Sequence, residues 1–315
     1  FGAGPADAAV VRPRFDSRRG IALGCGLRPS LSAIDPYWMA LASIDEAVRN
    51  VVCVGGDPRR IALLDNFCWG RCDDPERMGA LVRACRACYD GAMAYGTPFI
   101  SGKDSLNNEF ALAAGDVDLL CATLGRMDLP ADELEELQRE VRATGRIRIP
   151  DTLLISAVGI VEDIRRCVTA DLKDDAPDVM LVGGLPEVGF DLAEACAIHA
   201  AVADAIAAGW VRACHDVSDG GWLTSLAEMA LGGGRGVEVV ADEHERRSAL
   251  EPQCAGYVLA VPDCVAAGGF FRRRGTSARS IGRLQSAPAL RIGDVSIDID
   301  ELREIWRGRR PARST

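Results

Sequence analysis

Short apolar segments alternate with helix-start signals along the chain, and this alternation limits the fold more than any other feature. The segments GIALGCGL (20–27) and RIALLD (60–65) have the length and composition of strands. Each is followed by Asp-Pro, at residues 35–36 and 74–75, which combines an N-cap with Pro at the first helical position. The pattern predicts strand–helix alternation and an α/β fold.

A second unit of the same kind follows, so the sequence predicts two domains. We expect a sheet domain at residues 1–172 and a second α/β domain at 173–315, the latter opening with a strand at 178–182 and an alanine-rich helix at 191–208. Residues 111–148 are predicted to be a surface insertion carrying one charged helix. A Gly-x-Gly-x-x-Gly fingerprint and a Walker A motif are both missing from the sequence.

Composition excludes several classes of protein. The 315 residues are 48% hydrophobic, which is enough for two cores. A net charge of -10 argues against nucleic-acid binding, and no apolar run reaches the roughly 18 residues of a membrane span. Most of the twelve cysteines lie in apolar segments, which favours reduced thiols and a cytoplasmic location. The start at Phe1 without a signal peptide suggests a fragment of a longer chain.

Glu46 and Asn50 are four residues apart in the first predicted helix, so both oxygens project from one face. A carboxylate and an amide oxygen together suit a hard cation such as Mg²⁺. The alternative is an exposed Glu near a helix-end Asn.

The run HDVSDGG (215–221) places two acids and a serine where a strand leads through a glycine turn into a helix. Strand ends of this kind bind ligands in α/β folds. The alternative is a tight turn in which Ser218 or Asp219 caps the following helix. By itself, His215 is better explained as a packed turn residue than as a catalytic base.

The segment Gly102-Lys103-Asp104-Ser105 follows a predicted strand and is expected to form a loop. Glycine allows close approach, lysine carries charge for a phosphate, and serine offers a hydroxyl. An ordinary loop is the alternative. Asp65, at the end of its own strand, either accepts a hydrogen bond from a ligand or ends the strand.

Five segments occur in a fixed order along nearly the whole chain: ADAAVV (6–11), DPYWMALASIDEAVRNVVCVGGDP (35–58), TPFISGKDSLNNEF (97–110), AVGIVEDIRRCVTADLK (157–173) and HDVSDGGWLTSLAEMAL (215–231). Together they resemble the carboxy-terminal half of phosphoribosylformylglycinamidine synthase, a purine-pathway ligase. The resemblance implies a duplicated aminoimidazole ribonucleotide synthetase fold, of which this chain is similar to the second copy.

The resemblance also implies roles for particular residues. Asp65 and Gly102 match nucleotide contacts of short-chain members, and Ser105 matches a substrate contact of the same members. Lys103 stands where those members have an Asn metal ligand. A contact between Lys103 and a phosphate is therefore expected instead of a metal. The catalytic histidine belongs to the first copy, and no catalytic residue is assigned here. In long-chain members the second copy holds a Mg-nucleotide whose metal ligands match Asp7, Glu46, Asn50 and Asp216 and whose nucleotide contacts match Ala6 and Ser218.

The implied reaction joins glutamine-derived ammonia to formylglycinamide ribonucleotide with ATP, through an iminophosphate. The implied partners are the amino-terminal half of the same synthase and a glutaminase domain or subunit. Because the family pairs the sheet domains of its two copies, a lone half is also expected to form a homodimer. The alternative function is a scaffold whose Mg-nucleotide, ATP or ADP, is structural and never turned over.

Overall fold

The computed structural model describes residues 4–113, 115–126 and 131–308, which form two large sheets with helices packed on them and a small two-stranded sheet. The elements up to the end of the first sheet are β1 (Ala9–Val11), β2 (Gly20–Leu27), α1 (Pro36–Cys53), β3 (Ile61–Cys68), α2 (Pro75–Tyr95), β4 (Phe99–Ser105), β5 (Glu109–Ala111), α3 (Asp116–Leu124), α4 (Ala131–Thr144), β6 (Arg146–Arg148) and β7 (Thr152–Val161). The later elements are β8 (Asp178–Leu185), α5 (Leu192–Ala207), β9 (Ala213–Asp216), α6 (Gly221–Gly233), β10 (Gly236–Val239), α7 (Glu243–Arg247), β11 (Cys254–Val261), α8 (Cys264–Arg272), β12 (Ala278–Gln285), β13 (Ala289–Ile292), β14 (Val295–Asp298) and α9 (Ile299–Trp306).

The first sheet has the strand order β1-β2-β7-β3-β4, and only β3 and β4 are parallel. Helix α1 packs closely on β2 because Gly26 has no side chain: a Cβ there would overlap the Ser43 carbonyl oxygen. Successive residues of β2 therefore face opposite sides of the sheet. Gly24 and Gly26 lie under the helix, while the side chains of Leu23 and Leu27 are exposed on the opposite face. One face of this sheet is covered by helices and the other is open.

The second sheet has the order β14-β13-β10-β12-β8-β11-β9 and is covered on both faces. Helices α5 and α8 pack on one side, while α6 contacts β9, β11 and α9 on the other. Every residue of β11 is buried, as expected of a strand between two helical layers. The strand β9 lies at the edge and leads directly into the turn before α6.

One of the two apolar core clusters spans both domains, while the other lies almost entirely in the second domain. Helix α1 of the first domain contacts β9, β11 and α5 of the second, and buried residues of both form a continuous apolar cluster. We call this boundary, with α1 on one side and β9, β11 and α5 on the other, the domain seam. The division between residues 172 and 173 stays a prediction; the first sheet ends at Val161 and the second begins at Asp178.

Two expectations about local structure need correction. Residues 102–105 do not form a loop: they belong to β4, because the chain continues to pair in parallel with β3. Residues 111–148 carry two described helices, α3 and α4, rather than one, and the antiparallel pair β5–β6 closes the segment at its base. Parts of the predicted insertion, residues 114 and 127–130, lie outside the described residues. No helix in the described ranges is both long and apolar enough to cross a membrane.

Candidate functional site

Two of the predicted metal ligands meet at the domain seam, although they are far apart in sequence. Asp7, just before β1, accepts hydrogen bonds through Oδ1 from the Asp216 backbone N–H at 2.9 Å and from His215 Nδ1 at 2.8 Å. The potential ligand atoms of Asp7, His215 and Asp216 lie within 4.8 Å of one another. We call Asp7, Glu46, Asn50 and Asp216 the carboxylate cage.

His215 is fully engaged by acids. Its Nδ1 contacts Asp7, and its Nε2 lies 2.8 Å from a carboxylate oxygen of Glu228 on α6. Burial alone lowers the pKa of His215, but the charges and hydrogen bonds of Asp7 and Glu228 outweigh it and raise the pKa well above the usual value. His215 is thus packed between two acids and orients Asp7 through its Nδ1 contact; it lies in strand β9 rather than in the turn where the sequence predicted it.

Glu46 lies under the end of β2, where its Oε2 accepts a hydrogen bond from the Leu27 backbone N–H at 2.8 Å. Burial raises its pKa to about 7; the negative charge of Asp216 adds to this and the positive charge of Arg49 opposes it. The alternative of an exposed glutamate is wrong, since Glu46 is partly buried. The two carboxylates of Glu46 and Asp216 therefore repel each other when both are ionised.

Asn50 faces the same region but is oriented by the backbone. It is 9% exposed, and its Nδ2 donates to the Cys25 carbonyl oxygen at 2.7 Å. That bond fixes the amide on β2. The structure thus brings Asp7 and Asp216 into direct contact and Glu46 within electrostatic reach of Asp216, with Asn50 on the same face of α1 as Glu46.

Arg49, which sequence reasoning did not select, sits in the middle of the seam. Its guanidinium pairs with Asp45 one turn earlier on α1 and lies 3.3 Å (Nη2) from Asp216 Oδ2. The Arg49 side chain is 2% exposed and that of Asp45 is 0% exposed. An acid and a base at i and i+4 in a mostly apolar helix was the sequence signal that could have revealed this pair.

Asp45 is the centre of a buried network that joins the domains. Besides Arg49, its oxygens accept hydrogen bonds from Tyr95 at 3.0 Å, from His199 at 3.0 Å and from the Ala255 backbone N–H at 2.9 Å. Burial opposes ionisation of Asp45, yet Arg49 and His199 lower its pKa below the usual range. The network orients Arg49 toward Asp216.

The cage residues fit a hard divalent cation. They offer three carboxylates and one amide, the oxygen ligands that Mg²⁺ takes in proteins. Burial raises the pKa of Asp216 despite the nearby charge of Arg49, and the negative charge of Asp7 adds to this rise. A further positive charge between Asp216 and Glu46 would relieve this crowding.

A cavity of about 880 Å³ opens beside the cage, over the open face of the first sheet. Its lining includes Ala6 and Asp7, with Cys25, Ser156 and Thr169. Ala6 and Asp7 also line a neighbouring cavity of about 270 Å³. The predicted nucleotide contact Ala6 is therefore placed beside a space large enough for a small ligand.

The glycine turn at residues 217–221 leads from β9 into α6, with Ser218 partly buried. Helix α6 begins after Gly220 and has no side-chain cap. The alternative in which Ser218 or Asp219 caps this helix is wrong. The Asp219 carboxylate instead pairs with Arg28 of the first domain.

The other predicted contacts lie at the opposite edge of the first sheet. Asp65 Oδ1 accepts a hydrogen bond from the Lys103 backbone N–H at 3.2 Å, and the Lys103 amine donates to the Ser105 hydroxyl. Gly102 lies directly against Asp65, where a Cβ would overlap the carboxylate. We call Asp65 on β3, with Gly102, Lys103 and Ser105 on β4, the edge group; strand β7 separates these two strands from β2 and the cage.

Sequence comparison identifies both domains. Residues 5–127 match the family described as AIR synthase related protein, N-terminal domain, and residues 182–294 match its C-terminal domain. The chain has both domains of an AIR synthase related protein. This agrees with the predicted α/β fold class and with a synthetase of this type.

Curated proteins and solved structures are similar to this chain along nearly its whole length. The phosphoribosylformylglycinamidine synthase subunit PurL of Deinococcus radiodurans is 29% identical over 96% of this chain and 41% of its own length. Thermotoga maritima PurL complexed with ADP aligns with a TM-score of 0.71 and 14% identity, over 98% of this chain and 47% of that one. Thermotoga maritima PurL complexed with FGAR aligns with a TM-score of 0.69 and 13% identity, over 99% of this chain and 50% of that one. This AIR synthase related chain spans about two fifths of the length of the curated relatives it matches.

Proposed function

We propose that the chain is the second, carboxy-terminal half of a phosphoribosylformylglycinamidine synthase. That enzyme is an ATP-dependent ligase converting formylglycinamide ribonucleotide and glutamine-derived ammonia into formylglycinamidine ribonucleotide. The observation that carries the proposal is the contact of Asp7 and Asp216, from different domains, beside a cavity of about 880 Å³. The names of the curated relatives and the ADP, FGAR and ATP complexes of a structural neighbour support it.

In this proposal the carboxylate cage holds Mg²⁺ and the adjoining cavity holds ATP or ADP. When bound, the cation neutralises phosphate charge. Ala6 and Ser218 contact the nucleotide. Asp65, Gly102 and Lys103 form a further nucleotide or phosphate contact, and Ser105 contacts the substrate.

The second candidate function is a structural Mg-nucleotide scaffold, which is inactive without the amino-terminal half. The state of His215 favours it for this chain in isolation. Both ring nitrogens of His215 are bonded to carboxylates, so it cannot accept a proton from a substrate. The cage then binds and orients a nucleotide but does not act on it.

Nucleotide content tests the cage directly. The purified protein is heat-denatured and the supernatant assayed for adenine nucleotide, beside Asp216→Asn and the control Asp151→Asn. Asp151 is as buried as Asp216, each being 4% exposed, and it also pairs with an arginine, Arg77, but it is not a cage residue. We expect near-stoichiometric ADP or ATP in the wild type and in Asp151→Asn, and loss in Asp216→Asn. A wild type without nucleotide and without a thermal shift on adding Mg-ADP contradicts the proposal.

Reconstitution separates the two candidate functions. The chain is mixed with an amino-terminal half of the synthase, ammonia, ATP and formylglycinamide ribonucleotide. Product formation that depends on both halves supports the ligase. Nucleotide that stays bound through many turnovers identifies the seam site as structural; exchange with labelled ATP at the turnover rate identifies it as catalytic.

The open face of the first sheet is the surface that we assign to the partner half. Leu23 and Leu27 are 45% and 41% exposed there, and Val11 on the adjoining strand is 49% exposed. Apolar side chains grouped on one sheet face indicate an interface. We expect the lone chain to form a homodimer through this face; a strictly monomeric mass in light scattering contradicts that assignment.

We also propose a glutaminase domain or subunit as the source of ammonia, and a cytoplasmic location. All twelve cysteines are free thiols, which suits a reducing compartment. Fractionation of cells expressing the native protein tests the location, and co-purification of a glutaminase tests the partner.

A further inference from the structure

Arg28 is a buried arginine at the end of β2 that the proposed chemistry does not use. It is 3% exposed, which is unusual for a charged side chain unless it is paired. Its backbone N–H donates to the Ser43 hydroxyl at 3.1 Å, so α1 fixes its position. The side chain crosses the domain seam from there.

Both partners of the Arg28 guanidinium belong to the second domain. Nη2 lies 2.5 Å from Glu187 Oε1, and Nη1 donates to Asp219 Oδ1. Glu187 is in the connection between β8 and α5, while Asp219 is in the glycine turn before α6. One arginine thus ties two loops of the second domain to a strand of the first.

The two ends of this link are unequal. The Glu187 side chain is 15% exposed, so that pair is largely shielded from water, whereas the Asp219 side chain is 84% exposed. Exposed ion pairs are weak and easily separated, and removing one partner of a buried pair is costly. Arg28 therefore stays with Glu187 and can release Asp219.

Arg28 also has an unused donor. Its Nε is buried and has no hydrogen-bond partner among the residues that the structure describes. An unpaired buried N–H is unfavourable and is normally satisfied in some state of the protein. The guanidinium can therefore exchange a contact without leaving its place.

The position of Arg28 connects it to the cage. The preceding residue, Leu27, donates its backbone N–H to Glu46, and Asp219 is in the same turn as Ser218, three residues after Asp216 at the end of β9. We propose that Arg28 is a positioning residue that holds the glycine turn against the first domain, with Asp219 as the releasable partner. This inference rests on the proposed nucleotide site.

The test uses Asp219→Asn, which keeps the shape of the side chain and removes its charge. The control is Asp118→Asn in α3, which is 87% exposed and paired with Arg142. Two quantities are measured: amide hydrogen exchange of residues 217–221 without added nucleotide, and the dissociation rate of Mg-ADP.

We expect both rates to rise roughly threefold to tenfold in Asp219→Asn and to stay unchanged in Asp118→Asn. Arg28→Lys keeps the charge but loses the fork that holds two acids, so it should behave like Asp219→Asn. The melting temperature of Asp219→Asn should equal that of the wild type, because the lost carboxylate is exposed.

Exchange and dissociation rates in Asp219→Asn equal to those of the wild type overturn the proposal. If the wild type binds no Mg-ADP, the proposed function fails, and exchange at residues 217–221 alone then decides the role of Arg28.

Discussion

The domain seam and the edge strand carry the two groups of candidate residues in opposite surroundings. At the seam, the side chains of Asp7, Asp216 and Arg49 are at most 6% exposed, and each is paired. On β4, every residue from Ile100 to Asp104 is exposed. Buried, paired groups are held in one geometry, while exposed ones keep their freedom. The cage is therefore built by this chain alone, whereas we expect the edge group to be ordered by a partner or substrate.

The largest effect is expected from Asp45→Asn, which tests whether the seam is held by its buried charges. The variant leaves Arg49 buried with one acid fewer. We expect the free energy of unfolding to fall by about 3–5 kcal/mol in urea titration. The control Asp16→Asn breaks an exposed pair with Arg14 and should leave the free energy of unfolding nearly unchanged.

The same variant has a predicted pH dependence. The pKa of Asp45 is lower in the folded protein than in the unfolded chain. Its stabilisation is therefore fully present above the unfolded value of about 4 and is lost as the pH falls through the folded value. The difference in stability between wild type and Asp45→Asn should shrink below about pH 4; a constant difference contradicts the assignment.

Gly221→Ala tests the turn that carries Ser218 and follows Asp216. Gly221 has φ of +66°, and a Cβ there would overlap the Ala249 carbonyl oxygen. We expect a loss of about 2 kcal/mol and weaker Mg-ADP binding. Gly79→Ala in α2 is the control: a Cβ there meets no atom within 4 Å, and the change should stabilise the protein by up to about 1 kcal/mol.

Lys103→Met tests the edge group and should barely change stability, by less than about 0.5 kcal/mol, because Lys103 is exposed. In the reconstituted enzyme it should raise KM for the phosphate-bearing ligand by roughly tenfold, since a charge-assisted contact is lost. The control is Lys173→Met, whose amine bonds to Thr169 and Asp171. An unchanged KM in Lys103→Met contradicts the proposed contact between Lys103 and a phosphate.

Thiol labelling compares the two regions without changing stability. Cys25 is exposed and lines the 880 Å³ cavity, whereas Cys88 is buried and its pKa is raised by burial to about 12. At pH 8, iodoacetamide should modify Cys25 long before Cys88, and Mg-ADP should slow the labelling of Cys25. Equal labelling of Cys25 with and without Mg-ADP places the nucleotide elsewhere.

The elements that the sequence predicts well are those with local signals. Asp35, Asp74 and Asp191 each accept a hydrogen bond from the first turn of a helix, at the positions expected from the Asp-Pro pairs and the alanine-rich segment. Strand β2 has the predicted bounds. Capping and apolar strand composition act over a few residues, so neighbouring residues suffice to predict them.

Residues 102–105 show where local reasoning fails. Glycine, lysine and aspartate are poor strand formers, and the sequence predicted a loop. The segment is a strand because β3, some 38 residues earlier, offers unpaired backbone groups along its edge. Pairing with a distant strand outweighed local propensity.

The sequence by itself determined the alternating elements, the two domains and the oxygen-bearing residues of the candidate site. Only the tertiary structure decided which of them meet: Asp7 and Asp216 are 209 positions apart, and Arg49 and Arg28 gained their partners across the seam. The reason is physical. A charged residue is rarely buried unless packing brings an opposite charge to it; Asp45 meets Arg49 within one helix, but Asp216 reaches Arg49, and Glu187 and Asp219 reach Arg28, from distant parts of the chain.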